Sequence, residues 1–255
     1  MKNDLQKFFI TTIPLAWFWW IQIYLGLWPE NLVLIPSTLG GISPIFTVWL
    51  IERKSDSENL NEILGSARRW KEAVGLLIVS AMIFPLLNVT SKLASHILGS
   101  PLKIIATGLD ELGLFLTIII PLTFVSGLIT SPLLEEPAWR GYAYPRLTSL
   151  YGANVASLIL GSYWWLWHQM MNVAFGMQPT LMHYLSMLGQ SFIIDSLYTY
   201  SKGVILVAMF AHQSLFIMLN FLAEPTDLKN QIIYASILWL TAIFLRIRLK
   251  SREID

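Results

Sequence analysis

The sequence predicts an all-α fold, a polytopic integral membrane protein of about eight transmembrane helices, and three observations carry that prediction. Of 255 residues, 55% are hydrophobic and only 13% are charged, about half the charged share of an ordinary soluble domain. The apolar residues fall into stretches of roughly 20, the length that crosses a bilayer as a helix. The basic residues gather in alternate connections between those stretches. The chain has no cysteine, which excludes disulfides, thiolate nucleophiles and thiolate-bound metals. A net charge of +1 leaves no cationic excess to neutralise phosphates, so no nucleic acid is expected as a partner. The expected partner is the lipid bilayer.

The polar start, Met1 to Lys7, leads into a first span at 8-28. No small-residue cleavage site interrupts that run, so it is expected to be retained. A second span follows at 31-51. The connection 52-71 is charged but carries Leu60, Ile63, Leu64 and Trp70 at helical spacing, which suits an interfacial amphipathic helix and a solvated loop equally. Further spans are expected at 72-90, 111-134, 153-172, 182-201, 203-222 and 230-247. With the N-terminus inside, the cytoplasmic side holds 14 of the 17 Lys and Arg residues, from Lys2 and Lys7 through Arg53, Lys54 and Lys202 to Arg246 and Arg252. Only Lys92, Lys103 and Lys229 remain outside, so both N- and C-termini are expected to be cytoplasmic. Neither a repeat nor a low-complexity tract divides the chain, and 1-255 reads as a single membrane domain.

Ionisable groups within spans are expensive, about 2.5–3.5 kcal/mol each at a helix centre on insertion scales, so each calls for a reason. Glu135, Glu136 and Arg140 lie at the end of the fourth span, His168 in the fifth, Asp195 in the sixth and His212 in the seventh. The segment from Ser131 to Gly141 contains Pro132 and Pro137, which predict a kink, and broken backbone at membrane depth is tolerated where it lines a cavity. On a helix Glu136 and Arg140 form an i, i+4 ion pair while Glu135 points about 100° away. One carboxylate is then engaged and the other is free to act as a general base toward water, or simply to face solvent at a helix end. His168 sits among Tyr163, Trp164, Trp165 and Trp167, which either bury a structural histidine or wall a dry pocket. His212 lies mid-span, where an interhelical hydrogen bond is the plainer role. Asp195 reads as a structural partner. One free carboxylate and two imidazoles on three spans form a set that could hydrolyse a peptide bond without a covalent intermediate.

Glu135-Glu136-Pro-Ala-Trp-Arg140-Gly-Tyr, then Trp164-x-x-x-His168, then His212 on a later span, resembles the motif set of the CPBP family of CAAX-protease and bacteriocin-processing membrane proteins, which includes the type II CAAX prenyl endopeptidases. The family pattern is Glu-Glu-x-x-x-Arg, aromatic-x-x-x-His and His-x-x-x-Asn, and the resemblance covers 130-222, the expected catalytic core region. It implies an intramembrane endopeptidase of the prokaryotic plasma membrane that hydrolyses membrane-associated or lipidated protein or peptide substrates with a glutamate-activated water. Glu135 would be the base, His168 its partner in holding the water, and His212 the stabiliser of the oxyanion, with Glu136 and Arg140 bracing the site. Trp164 stands where the family has Phe. Phe216 stands where the family has Asn and cannot donate a hydrogen bond; Asn220, one turn or about 6 Å further along the helix, is the amide that could substitute. This scheme requires no cofactor, although zinc held by Glu135, His168 and His212 is a second possibility. The alternative to an enzyme is a catalytically weak or inactive adapter or immunity protein with the protease fold, a reading that Phe216 favours.

Overall fold

The computed structural model describes residues 2–53, 60–223, 225 and 227–252. Among these the backbone is helical and contains no strand, an isolated antiparallel bridge between Ile105 and Leu222 aside. The helices are α1 (Lys2–Tyr24), α2 (Leu34–Gly41), α3 (Ser43–Glu52), α4 (Leu60–Gly65), α5 (Val74–Ile97), α6 (Leu116–Gly127), α7 (Ser131–Glu136), α8 (Tyr144–Tyr151), α9 (Ala153–Ala174), α10 (Leu181–Tyr200), α11 (Ile205–Phe221) and α12 (Leu228–Arg252).

Among the described residues, three helical runs are long and apolar enough to cross a membrane: Leu60–Ile97, Glu111–Tyr151 and Leu228–Ser251. The pair α2 and α3, with the short turn before it, is bent by 41° and makes a fourth if counted as one broken span. The stretches 8-28, 153-172, 182-201 and 203-222 coincide with α1, α9, α10 and α11. These helices give up apolar positions to tryptophans, tyrosines and buried polar groups, or, in α11, run to only 17 residues. On α6, Ile118, Leu122 and Val125 are each about two-thirds exposed. Such a stripe is tolerable against lipid and not against water, so the molecule is an integral membrane protein.

Met1 and residues 54–59, including Lys54, lie outside the described residues, so the first part of the 52-71 connection does too. From Leu60 onward that connection is helical, α4 passing into a 3-10 segment at Ser66–Ala73 with Ile63 buried and Trp70 and Lys71 exposed.

Two tight reversals bring the polar residues to matching heights. Gly152, at φ +77°, turns the chain between α8 and α9, and this left-handed backbone suits a residue without a Cβ. Glu135 precedes that turn by 17 residues and His168 follows it by 16, so at 1.5 Å per residue both lie about 25 Å from it. Lys202 and Gly203, also at positive φ, reverse the chain between α10 and α11, leaving Asp195 and His212 eight and nine residues from Gly203. Helices α9 and α10 approach closely at Gly161, where a Cβ would fall 2.8 Å from Leu188 Cδ1 and 3.0 Å from Ser191 Cβ.

Candidate active site

The motif Glu135 to Tyr142 occupies a helix of changed pitch. After α7 the segment Pro137–Ala143 is π-helical and leads directly into α8. Pro137 and Pro145 lack the N–H that an α-helical ladder needs, and a π segment accommodates such gaps within a continuous helix. The kink expected from the prolines is therefore realised as a widening. Gly141 lies inside it, where a Cβ would come within 2.2 Å of Ile63 Cγ2; its absence lets α4 cover the motif.

Arg140 is wholly buried and binds in three directions. Its Nη1 donates to Glu136 Oε1 at 3.0 Å, its Nε to Asp195 Oδ1 at 3.0 Å and its Nη2 to Ser191 Oγ at 3.0 Å. The guanidinium also lies over the Trp164 ring, 5.0 Å from its centroid. The i, i+4 pair expected from the sequence is present, and Asp195 joins it from α10. A buried charge needs such partners, because an unpaired one is strongly destabilising. Glu136 Oε1 accepts a second bond from His212 Nδ1 at 2.7 Å, so Glu136 links the arginine to the imidazole.

Glu135 is buried, which removes the reading in which it faces solvent at a helix end. It is also not free: Ser131 Oγ donates to Oε1 at 2.5 Å, and the indole N–H groups of Trp139 and Trp164 donate to Oε2 at 3.2 and 3.0 Å. All three donors are uncharged. They orient the carboxylate without tying it into the arginine's ion pairs. Trp164, which stands where the family has Phe, contributes a bond that Phe lacks.

The two imidazoles flank Trp164. Its ring meets the His168 ring edge to face at 5.2 Å and the His212 ring at 5.5 Å, and Glu135 interacts electrostatically with both histidines. His168 Nδ1 lies 2.9 Å from the Trp164 carbonyl, an acceptor, so this nitrogen carries the proton and neutral His168 presents the lone pair of Nε2. His212 has contacts at both nitrogens, Glu136 at Nδ1 and Ser131 Oγ at Nε2, 3.3 Å away. Phe8, Trp20, Trp139, Tyr142 and Trp167 form an interlocked aromatic wall around the set.

The structure thus brings together Glu135, Glu136, Arg140, Trp164, His168 and His212. It does not bring Asn220 to them. Asn220 is exposed, donates to the Phe216 carbonyl at 2.8 Å, and lies eight residues, about 12 Å, along α11 from His212. Phe216 is 43% exposed. Ser131 and Ser191 did not stand out in the sequence, although Ser131 lies four residues before Glu135, a spacing that places it on the same helical face.

A metal held by Glu135, His168 and His212 fits this donor set poorly. Ser131 Oγ lies between Glu135 Oε1 and His212 Nε2, 2.5 Å from one and 3.3 Å from the other, so a metal shared by these two would have to displace the serine.

Residues 116–222 match the family model described as type II CAAX prenyl endopeptidase Rce1-like. Over 54 residues the chain is 41% identical to CAAX prenyl protease 2 of Methanococcus maripaludis, a match that covers 21% of this chain and 19% of that relative. The region matched by the family model, 116–222, contains the Glu-Glu-x-x-x-Arg segment and both histidines. These similarities bear out the resemblance to the CPBP family read from the motifs.

Proposed function

We propose that the chain is an intramembrane endopeptidase that hydrolyses peptide bonds of membrane-associated or lipidated substrates with a water activated by Glu135. The observation that carries this reading is a buried carboxylate held only by neutral donors, with two imidazoles against the same indole that binds it. A base needs an available lone pair near its proton donor, and the division of labour between the glutamates supplies one: Glu136 neutralises Arg140 while Glu135 stays outside that ion pair. In the proposed cycle His168 Nε2 accepts one hydrogen bond from the water, Glu135 removes its proton, and the hydroxide attacks the carbonyl carbon. His212 stabilises the oxyanion, a contribution typically worth several kcal/mol in such sites. The proton on Glu135 then passes to the leaving amine.

The same reading includes eight spans, cytoplasmic termini, one membrane domain over 1-255 with its core at 130-222, and a prokaryotic plasma membrane. The similarity to CAAX prenyl proteases makes a prenylated C-terminus the first substrate class to offer. Phe216 favours a second reading, an adapter with weak or absent catalysis, because it supplies no amide one turn from His212. Purified protein in lipid vesicles, given quenched fluorogenic peptides with and without a farnesylated C-terminal cysteine, distinguishes the two. Cleavage by the wild type that is lost in Glu135→Gln supports the protease; equal inactivity of both proteins on both peptides favours the adapter.

A further inference from the structure

From the hydrogen bonds at the Ser131 hydroxyl we infer that Ser131 is a positioning residue that couples the proton on His212 to the charge on Glu135, so that the base and the oxyanion-stabilising cation are made in one step. The inference rests on the proteolytic reading above and adds a residue outside the motifs that carry the family resemblance.

Proton counting leads to it. Glu136 Oε1 accepts from His212 Nδ1, so that nitrogen carries a proton. Ser131 has one hydroxyl proton, and the short 2.5 Å bond directs it to Glu135 Oε1. The remaining contact, Ser131 Oγ to His212 Nε2 at 3.3 Å, then requires the imidazole to donate, because the hydroxyl has no second proton to give. In this arrangement His212 is an imidazolium and Glu135 a carboxylate. Moving the Nε2 proton to Ser131 Oγ while the serine proton moves to Glu135 Oε1 gives a neutral imidazole and a neutral carboxylic acid. No atom or charge is gained or lost, and no bond other than O–H and N–H changes. The other charged groups against this chain are Arg140, Glu136 and Asp195, paired with one another, and the other titratable one is His168, neutral, which meets it across Trp164.

Ser131 is suited to the task by its place in the chain. The helix breaks at Thr130, at φ −102° and ψ −121°, and restarts at Ser131, while α11 packs against α7 and brings His212 to the hydroxyl. The side chain is only partly buried, while the Glu135 and His212 side chains it joins are buried.

The test uses full-length protein in vesicles with the farnesylated quenched peptide, and Ser131→Ala, Ser131→Thr and Glu135→Gln. The expected result is a fall in kcat of about 30-fold or more in Ser131→Ala with KM within about twofold, and recovery to within about threefold of wild type in Ser131→Thr. Unchanged kcat in Ser131→Ala, with Glu135→Gln inactive, overturns the inference and leaves the protease reading standing. Labelling of the wild type by a serine-directed fluorophosphonate that Ser131→Ala abolishes also overturns it, since the serine would then be a covalent nucleophile. A readout independent of turnover is 15N NMR of the ring nitrogens, tractable with four histidines. His212 should show protons on both nitrogens, and Ser131→Ala should change its Nε2 signal and leave that of His183 in place; an unchanged His212 spectrum overturns the coupling even if no peptide is cleaved.

Discussion

Glu135 and Glu136 are the same side chain at adjacent positions, and a rotation of about 100° between them decides what each does. Glu136 turns toward Arg140 and His212, whereas Glu135 turns toward a serine and two indoles. Substitutions should therefore separate. Glu135→Gln keeps shape and neutral donors, and is expected to lower the hydrolytic rate by at least about 100-fold with little change in thermal unfolding in detergent. Glu136→Gln leaves Arg140 and His212 with one fewer buried counter-charge and is expected to destabilise the fold by about 3–5 kcal/mol, read as a lower midpoint in the same unfolding assay. Phe216→Asn places an amide one turn from His212 and should raise kcat at least about tenfold if a missing oxyanion donor limits the rate; no rise would mean that the donor is not limiting. The i, i+4 pair and the two histidines were legible in the sequence because they follow from helical spacing and from the expense of charge in a membrane. Of the donors to Glu135, Ser131 and Trp139 share its helical face at i−4 and i+4, whereas Trp164 was not legible, because whether it reaches the carboxylate depends on how α7 and α9 rotate against one another.

At the scale of elements, the apolar stretches locate the helices, and the positions of the two reversals explain why residues far apart in the chain share a height. The π-helical pitch at Pro137–Ala143 was legible only as a disturbance, since prolines announce missing hydrogen bonds without saying how the backbone absorbs them. Gly141 provides the element-scale test. Gly141→Ala drives a methyl group into Ile63 and should cost about 1–3 kcal/mol, the usual range for overpacking. The double variant with Ile63→Ala should recover part of that loss. Thermal unfolding of the two single variants and the pair measures the coupling, and strict additivity would contradict the contact.

For the whole molecule, composition alone indicated a membrane protein, and the exposed apolar stripe of α6 with the three span-length helical runs among the described residues agrees. The site is shared between the run Glu111–Tyr151, which is plainly visible as a span, and α9, α10 and α11, which are less visible because aromatic and polar residues interrupt them or, in α11, because the helix is short. Orientation is open to direct measurement because the chain has no cysteine of its own. Single substitutions Lys202→Cys and Lys250→Cys should react with an impermeant maleimide only after cells are permeabilised, while Lys103→Cys and Lys229→Cys should react in intact cells; the opposite pattern would invert the proposed topology.

The central claim is that this buried site cuts peptide bonds with Glu135, and it is tested most directly by a terminal-peptide survey of membranes from cells expressing wild type or Glu135→Gln at matched levels. Because the survey requires no guess at the substrate, its outcome does not depend on the prenyl hypothesis. The account predicts new protein termini in wild-type membranes that are absent with Glu135→Gln. Identical termini in both membranes, with both proteins folded and present, would contradict it.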